Sequence, residues 1–110
     1  QLKDTNFAQI AIVNALTYQM IYEQPVVYSF DSIHVPTFLI IGQADRTVVG
    51  KNSLTEEQKK VHGNYPLLGR KTSARIKGSK LVELPGVGHI PHIQELMVYK
   101  QYLLSFLNNE

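Results

Sequence analysis

The stretch that decides the fold is residues 81–92, which read Leu-Val-Glu-Leu-Pro-Gly-Val-Gly-His-Ile-Pro-His. A short apolar run leads into a glycine-flanked turn, and His89 follows the turn where a helix could begin. In open α/β sheets, ligands and catalytic groups gather outside the carboxyl ends of the strands. The stretch therefore predicts a strand end that presents an imidazole.

An earlier segment has the same arrangement with a carboxylate. Residues 35–42 read VPTFLIIG, an uninterrupted apolar run typical of a parallel strand buried on both faces, and Asp45 follows shortly after it. The intervening residues, 43–80, are long enough for the crossover that parallel neighbours require. We therefore expect Asp45 and His89 at the same edge of one sheet.

A carboxylate and an imidazole in this arrangement can perform acid–base chemistry. The carboxylate accepts a hydrogen bond from one ring nitrogen, which fixes the tautomer and supports the charged ring, and the other nitrogen then acts as general base and general acid. Taken singly, His89 could be an ordinary loop histidine and Asp45 a turn former. Together they form two-thirds of a hydrolytic triad.

At this point the chain resembles a known family. Residues 36–45 and 81–89 look like the last two strands of the α/β-hydrolase fold, carrying its triad acid, Asp45, and its triad histidine, His89. The resemblance implies an α/β fold class: the C-terminal portion of an α/β-hydrolase sheet, with two parallel strands and flanking helices. Residues 1–24 would be a helix from the cap or its return.

Residues 35–110 would then supply the last two strands and the closing helix. They would also supply the loop that carries Asp45, here called the acid loop, and the loop that carries His89, here called the histidine loop. Gly42 to Thr47, Gly63-Asn64-Tyr65 and Leu68-Gly69 resemble a bacterial subgroup of α/β-hydrolases. In that subgroup an acidic residue is expected five positions after the histidine, where this chain has Gln94.

The family nucleophile is not found in residues 1–110. It is a serine in a Gly-x-Ser-x-Gly elbow well upstream of the acid, and no serine here lies between glycines at that spacing; cysteine is absent. The acid–histidine pair is compatible with a serine or an aspartate nucleophile. We therefore expect residues 1–110 to be a C-terminal fragment of an α/β-hydrolase domain that is inactive alone.

Two functions stay open. In the first, the chain is part of a serine hydrolase that performs acyl transfer on a small ester-like substrate in the intact protein, without a cofactor. In the second, it is a non-catalytic binding or regulatory module that self-associates. The substrate-binding residues are not identifiable from the sequence, and an upstream nucleophile would favour the first function.

Composition excludes several other classes. The chain has 110 residues, 44% hydrophobic and 18% charged, which is ordinary globular usage, and a net charge of +2 gives no reason to expect a nucleic acid or membrane partner. Seven of the eleven Lys and Arg residues lie in 59–80, which we interpret as a solvated helical surface rather than an anion site, since Tyr65 alone could stack on a base. Without a signal-like or membrane-length segment, a cytoplasmic location is the default expectation.

Two ligand sites are disfavoured. Asp45, His89 and His92 could be imagined around a metal, but Pro91 constrains the loop between the histidines, and thiolate ligands are absent. Gly86-Val87-Gly88 resembles a dinucleotide loop but has proline where the third glycine is needed. We therefore predict neither a metal nor a nucleotide cofactor.

A ribbon of only two parallel strands leaves an unpaired edge where the preceding strand should be. We expect it to drive self-association or to receive a complementing N-terminal part. Asn6 with Gln9 and Ser53 with Glu56 are predicted caps, and residues 26–30 are β-prone. Helical spacing predicts four helices, at residues 7–23, 53–62, 66–77 and 93–107.

Overall fold

The computed structural model describes residues 2–108, with side chains from residue 6 onward. The chain divides after Phe30 into two compact units. The elements are, in chain order, α1 (Leu2–Glu23), a 3₁₀ helix (Val26–Ser32), β1 (Phe38–Gly42), a 3₁₀ turn (Lys51–Ser53), α2 (Glu56–Val61), α3 (Tyr65–Arg75), β2 (Lys80–Leu84), α4 (Pro91–Gln94) and α5 (Leu96–Leu107).

The second unit is built on the two predicted strands. β1 and β2 pair in parallel, with a register that runs from Phe38 opposite Lys80 to Gly42 opposite Leu84. The crossover between them carries α2 and α3. The predicted α/β class, with two parallel strands and flanking helices, is confirmed.

Helices cover both faces of this ribbon. Side chains alternate along a strand, so the apolar residues of β1 lie on both faces and each face needs cover. On one face Gly69 of α3 lies against Ile41; a Cβ added to Gly69 would lie 3.0 Å from Ile41 Cγ1. On the other face Phe106 of α5 stacks on Phe38, with ring centroids 5.0 Å apart. The small core is completed by Ile76, Leu84 and Val87, which are 3%, 4% and 6% exposed.

The outer edge of β1 is unpaired among residues 2–108. Lys80 N–H donates to Thr37 O and Gln43 N–H donates to Leu84 O, so the odd positions of this strand face β2. Because the two sides of a strand alternate, the N–H groups of Phe38 and Ile40 face the outer edge. The structure thus has the free edge that the sequence predicts, and what covers it stays a prediction.

α1 forms the first unit together with the residues up to Phe30. Its apolar side chains are exposed on all sides rather than along one stripe: Phe7 is 75% and Tyr22 68% exposed, with Ile12, Val13 and Leu16 near 60%. A helix that is apolar all round normally lies inside a larger core or a membrane. Within the described part of the chain, however, no helix combines the length and hydropathy needed to cross a membrane.

Several local predictions are wrong. α1 begins before Asn6, so Asn6 and Gln9 lie inside the helix and do not cap it. The β-prone residues 26–30 belong to a 3₁₀ helix. Ser53 ends a 3₁₀ turn, and the cap of α2 is instead Thr55.

The helices are otherwise close to their predicted positions. Thr55 Oγ1 accepts from Gln58 N–H, and the Gln58 side chain accepts from Thr55 N–H, which completes a capping box two residues after the predicted one. Asn64 caps α3 by accepting from Leu67 N–H. The predicted closing helix over residues 93–107 is divided at Glu95 into α4 and α5.

Candidate active site

Asp45 lies in the loop that follows β1, and His89 lies in the loop that follows β2. Because these parallel strands are neighbours in register, their ends open onto the same edge. His89 Nδ1 lies 2.9 Å from Asp45 Oδ2, so the ring N–H donates to the carboxylate. The structure therefore brings together the two site residues that the sequence predicts.

The two loops are held together by backbone hydrogen bonds. Gln43 N–H donates to Leu84 O and Ala44 N–H donates to Val87 O, each at 2.9 Å. Gly42 permits this approach, because a Cβ at that position would lie 2.1 Å from Gly88 O. The glycine at the end of β1 thus sets the spacing between the acid loop and the histidine loop.

The Asp45 side chain is buried and only 7% exposed. Its Oδ1 accepts from Thr47 N–H at 2.8 Å, while Oδ2 accepts from His89. Burial by itself would raise the pKa of Asp45, but the hydrogen bonds from His89 and Thr47 outweigh it and hold the pKa below its ordinary value. Asp45 is therefore an anion at neutral pH and selects the His89 tautomer protonated at Nδ1.

The His89 side chain is 58% exposed, in contrast to its partner. With Nδ1 bonded to Asp45, Nε2 is the ring nitrogen left for a reacting group. His89 lines a shallow cleft of about 430 Å³ along the acid loop, with Arg46 and Lys51, and a smaller one of about 170 Å³ with Tyr65. Neither cleft contains a serine among the described residues.

The acid loop is supported by its own side chains and by a buried glycine. Arg46 Nη1 donates to Gln43 O at 3.0 Å, and this bond stabilises the turn. Gly63, with φ of +73°, packs against this loop, since a Cβ there would lie 3.1 Å from Arg46 O. The residues between α2 and α3 thus support the acid loop from the side.

Sequence reasoning missed two residues of the site. The Tyr65 ring lies edge-on to His89, with centroids 6.4 Å apart, and its pKa is raised by burial and by the charge of Asp45. Gln94 accepts a hydrogen bond from Gly88 N–H at 2.8 Å. Tyr65 belongs to the subgroup pattern and Gln94 departs from it, but neither observation carries information about contacts.

Most of the basic residues of 59–80, and His92, contact other side chains of the chain. Four of the seven basic residues in 59–80 form ion pairs with acids: Lys59 with Glu56, Lys60 with Glu57, Arg70 with Glu83, and Arg75 with Asp31. His92 faces away toward Tyr99, at 5.9 Å between ring centroids. In the described part of the chain, no three His, Asp or Glu side chains are grouped so that they could hold a metal.

Comparison with known proteins gives one informative match. The chain is similar to the crystal structure of a probable hydrolytic enzyme from Pseudomonas aeruginosa, with 46% sequence identity and a TM-score of 0.80. The match covers 84% of this chain and 30% of that chain, so this chain spans about 30% of the length of its structural relative. No protein-family model and no curated protein matches. The comparison supports a hydrolase-like fold.

Proposed function

We propose that residues 1–110 are the C-terminal part of an α/β-hydrolase domain that performs acyl transfer, with Asp45 as triad acid and His89 as triad histidine. The observation that carries this proposal is the 2.9 Å hydrogen bond between a buried carboxylate and an exposed imidazole at the ends of two parallel strands. The similarity to a probable hydrolytic enzyme supports hydrolysis as the reaction class.

In this reaction the intact protein provides a serine whose Oγ attacks the carbonyl carbon of a small ester. His89 Nε2 accepts the Oγ proton as the C–O bond forms, and Asp45 stabilises the resulting imidazolium. The imidazolium then returns the proton to the alkoxide as the C–O bond of the ester breaks. The acyl group stays on the serine as an acyl-enzyme. A water molecule repeats the sequence at the acyl carbon and releases the acid.

The proposal places the nucleophile and the oxyanion hole outside residues 1–110. Neither cleft at His89 contains a serine among the described residues, which supports this division. An acid–histidine pair without an aligned nucleophile and oxyanion donors loses most of its acceleration. Residues 1–110 alone are therefore expected to be inactive.

The same proposal accounts for two exposed surfaces. The free edge of β1 would be covered by the preceding strand of the complementing N-terminal part, or by a second copy when that part is missing. α1, apolar on all sides, would belong to the cap or to the helix that returns from it. Both expectations describe the intact protein.

The test is labelling of the full-length protein with a fluorophosphonate, followed by identification of the modified peptide. We expect one modified serine upstream of Asp45, with labelling lost in His89→Ala and retained in His92→Ala. Slow hydrolysis of p-nitrophenyl acetate without labelling would be background cleavage by an exposed imidazole and would count against a serine nucleophile. Neither labelling nor hydrolysis in the wild-type protein would overturn the proposal in favour of a non-catalytic module.

A further inference from the structure

We infer that Gln94 is a positioning residue for His89, an inference that rests on the proposed function. Gln94 Oε1 accepts a hydrogen bond from Gly88 N–H at 2.8 Å. Gly88 immediately precedes His89, so this bond fixes the peptide group from which the histidine leaves the turn. Gln94 is not proposed to touch the substrate; it acts through the backbone.

The fold holds the backbone at Gln94 in a defined place, and the side chain is exposed. Gln94 ends the single turn of α4, in which Ile93 N–H and Gln94 N–H both donate to Ile90 O at 3.0 Å, with Pro91 at the start of the helix. The side chain reaches back across this turn to Gly88. The hydrogen bond from Gly88 N–H to Gln94 thus closes residues 88–94 into a loop, and His89 is one of the residues of that loop.

Glycine at position 88 is part of the same arrangement. A Cβ there would lie 3.2 Å from Gln94 Oε1 and 3.3 Å from Nε2, so the amide lies directly against the Gly88 backbone. A larger residue at position 88 would push the amide away from the N–H group that it accepts from. Gly88 and Gln94 therefore act as a pair.

The other side of this segment is held by the acid loop. Ala44 N–H donates to Val87 O, and Gly42 packs against Gly88 O. Val87 and Gly88 are thus fixed from two directions, by the loop that carries Asp45 and by Gln94. Loss of the Gln94 contact would free the peptide before His89 and widen the range of distances between His89 Nδ1 and Asp45 Oδ2.

The chemistry of the contact predicts which substitutions are tolerated. The acceptor can be an amide or a carboxylate oxygen, since either accepts from a backbone N–H group. Gln94→Glu should therefore keep the bond, whereas Gln94→Leu retains bulk and removes the acceptor.

The experiment compares Gln94→Leu and Gln94→Glu in the full-length protein with p-nitrophenyl acetate as substrate. We expect Gln94→Leu to lower kcat by about tenfold or more with KM little changed, because misplacement of a catalytic group by ~1 Å can cost ~100-fold. Gln94→Glu should restore most of kcat. Gln101→Leu, an exposed substitution on α5, serves as the matched control and should behave as wild type.

A spectroscopic readout separates positioning from general stability. The proton shared by His89 Nδ1 and Asp45 should give a downfield proton resonance that broadens or is lost in Gln94→Leu and is retained in Gln94→Glu. If Gln94→Leu is poorly folded, Gln94→Met supplies a second variant. Wild-type kcat and an unchanged resonance in folded Gln94→Leu or Gln94→Met would overturn the inference, whereas wild-type turnover in His89→Ala would overturn the proposed function instead.

Discussion

Gly42→Ala tests whether the spacing between the two loops sets the geometry of the acid–histidine pair. The new Cβ would lie 2.1 Å from Gly88 O and 2.5 Å from Val87 O, both backbone atoms that cannot rotate away. Ordinary carbon–oxygen contacts begin near 3.4 Å, so the loops must separate by about 1.3 Å. Added to the 2.9 Å distance from His89 to Asp45, such a shift exceeds the reach of a hydrogen bond.

We expect Gly42→Ala to lower both the stability of the protein and its turnover. Overpacking of this kind lowers the free energy of unfolding by about 1–3 kcal/mol. A displacement of ~1 Å in a catalytic group lowers kcat by ~100-fold. Urea unfolding and p-nitrophenyl acetate hydrolysis by the full-length protein measure the two effects separately.

Gly69→Ala is the matched control for this experiment. Its Cβ would lie 3.0 Å from Ile41 Cγ1, a side-chain atom that can move, and Ala is favoured over Gly inside α3 by ~1 kcal/mol. We expect this variant to keep most of its turnover. Wild-type kcat together with wild-type stability in Gly42→Ala would refute the reasoning.

Three further predictions follow from the same geometry. Asp45→Asn keeps the shape of the acid but loses its charge and tautomer control, so kcat should fall by ~10⁴-fold, and a loss below tenfold would contradict the role of Asp45. Because the pKa of Asp45 is lowered in the folded state, the stability it contributes is fully present above its unfolded pKa and is lost as the pH falls through the folded value, below 3.8; urea unfolding of wild type and Asp45→Asn across this range should converge at low pH, and a constant difference would argue against it. Residues 1–110 alone should self-associate through the free edge of β1, so light scattering over a concentration series should show a rising mass, and a monodisperse monomer would contradict this.

The strands and the acid–histidine pair could be predicted because their signals are strong and local. The apolar run through Phe38–Gly42 has the composition of a buried parallel strand, and turn residues end both strands. Once the strands are parallel neighbours, topology alone brings Asp45 and His89 to one edge. The contact between them needs no further information from the sequence.

Short local elements and contacts between distant segments could not be predicted in the same way. The β-prone residues 26–30 form a 3₁₀ helix, because β propensity depends on context and does not by itself decide the structure of a short segment. Ser53 and Thr55 are both good caps with suitable residues three positions later, and the preceding 3₁₀ turn decides in favour of Thr55. The roles of Gly42 and Gln94 depend on atoms of the histidine loop, which no local pattern reports.

The most direct test of the central claim is the turnover of His89→Ala against His92→Ala in the full-length protein. The two histidines lie three positions apart, but only His89 contacts Asp45, while His92 faces Tyr99. We predict that His89→Ala lowers kcat for p-nitrophenyl acetate by ~10³-fold or more and that His92→Ala remains near wild type. Equal activity in the two variants would contradict the assignment of His89 as the catalytic base.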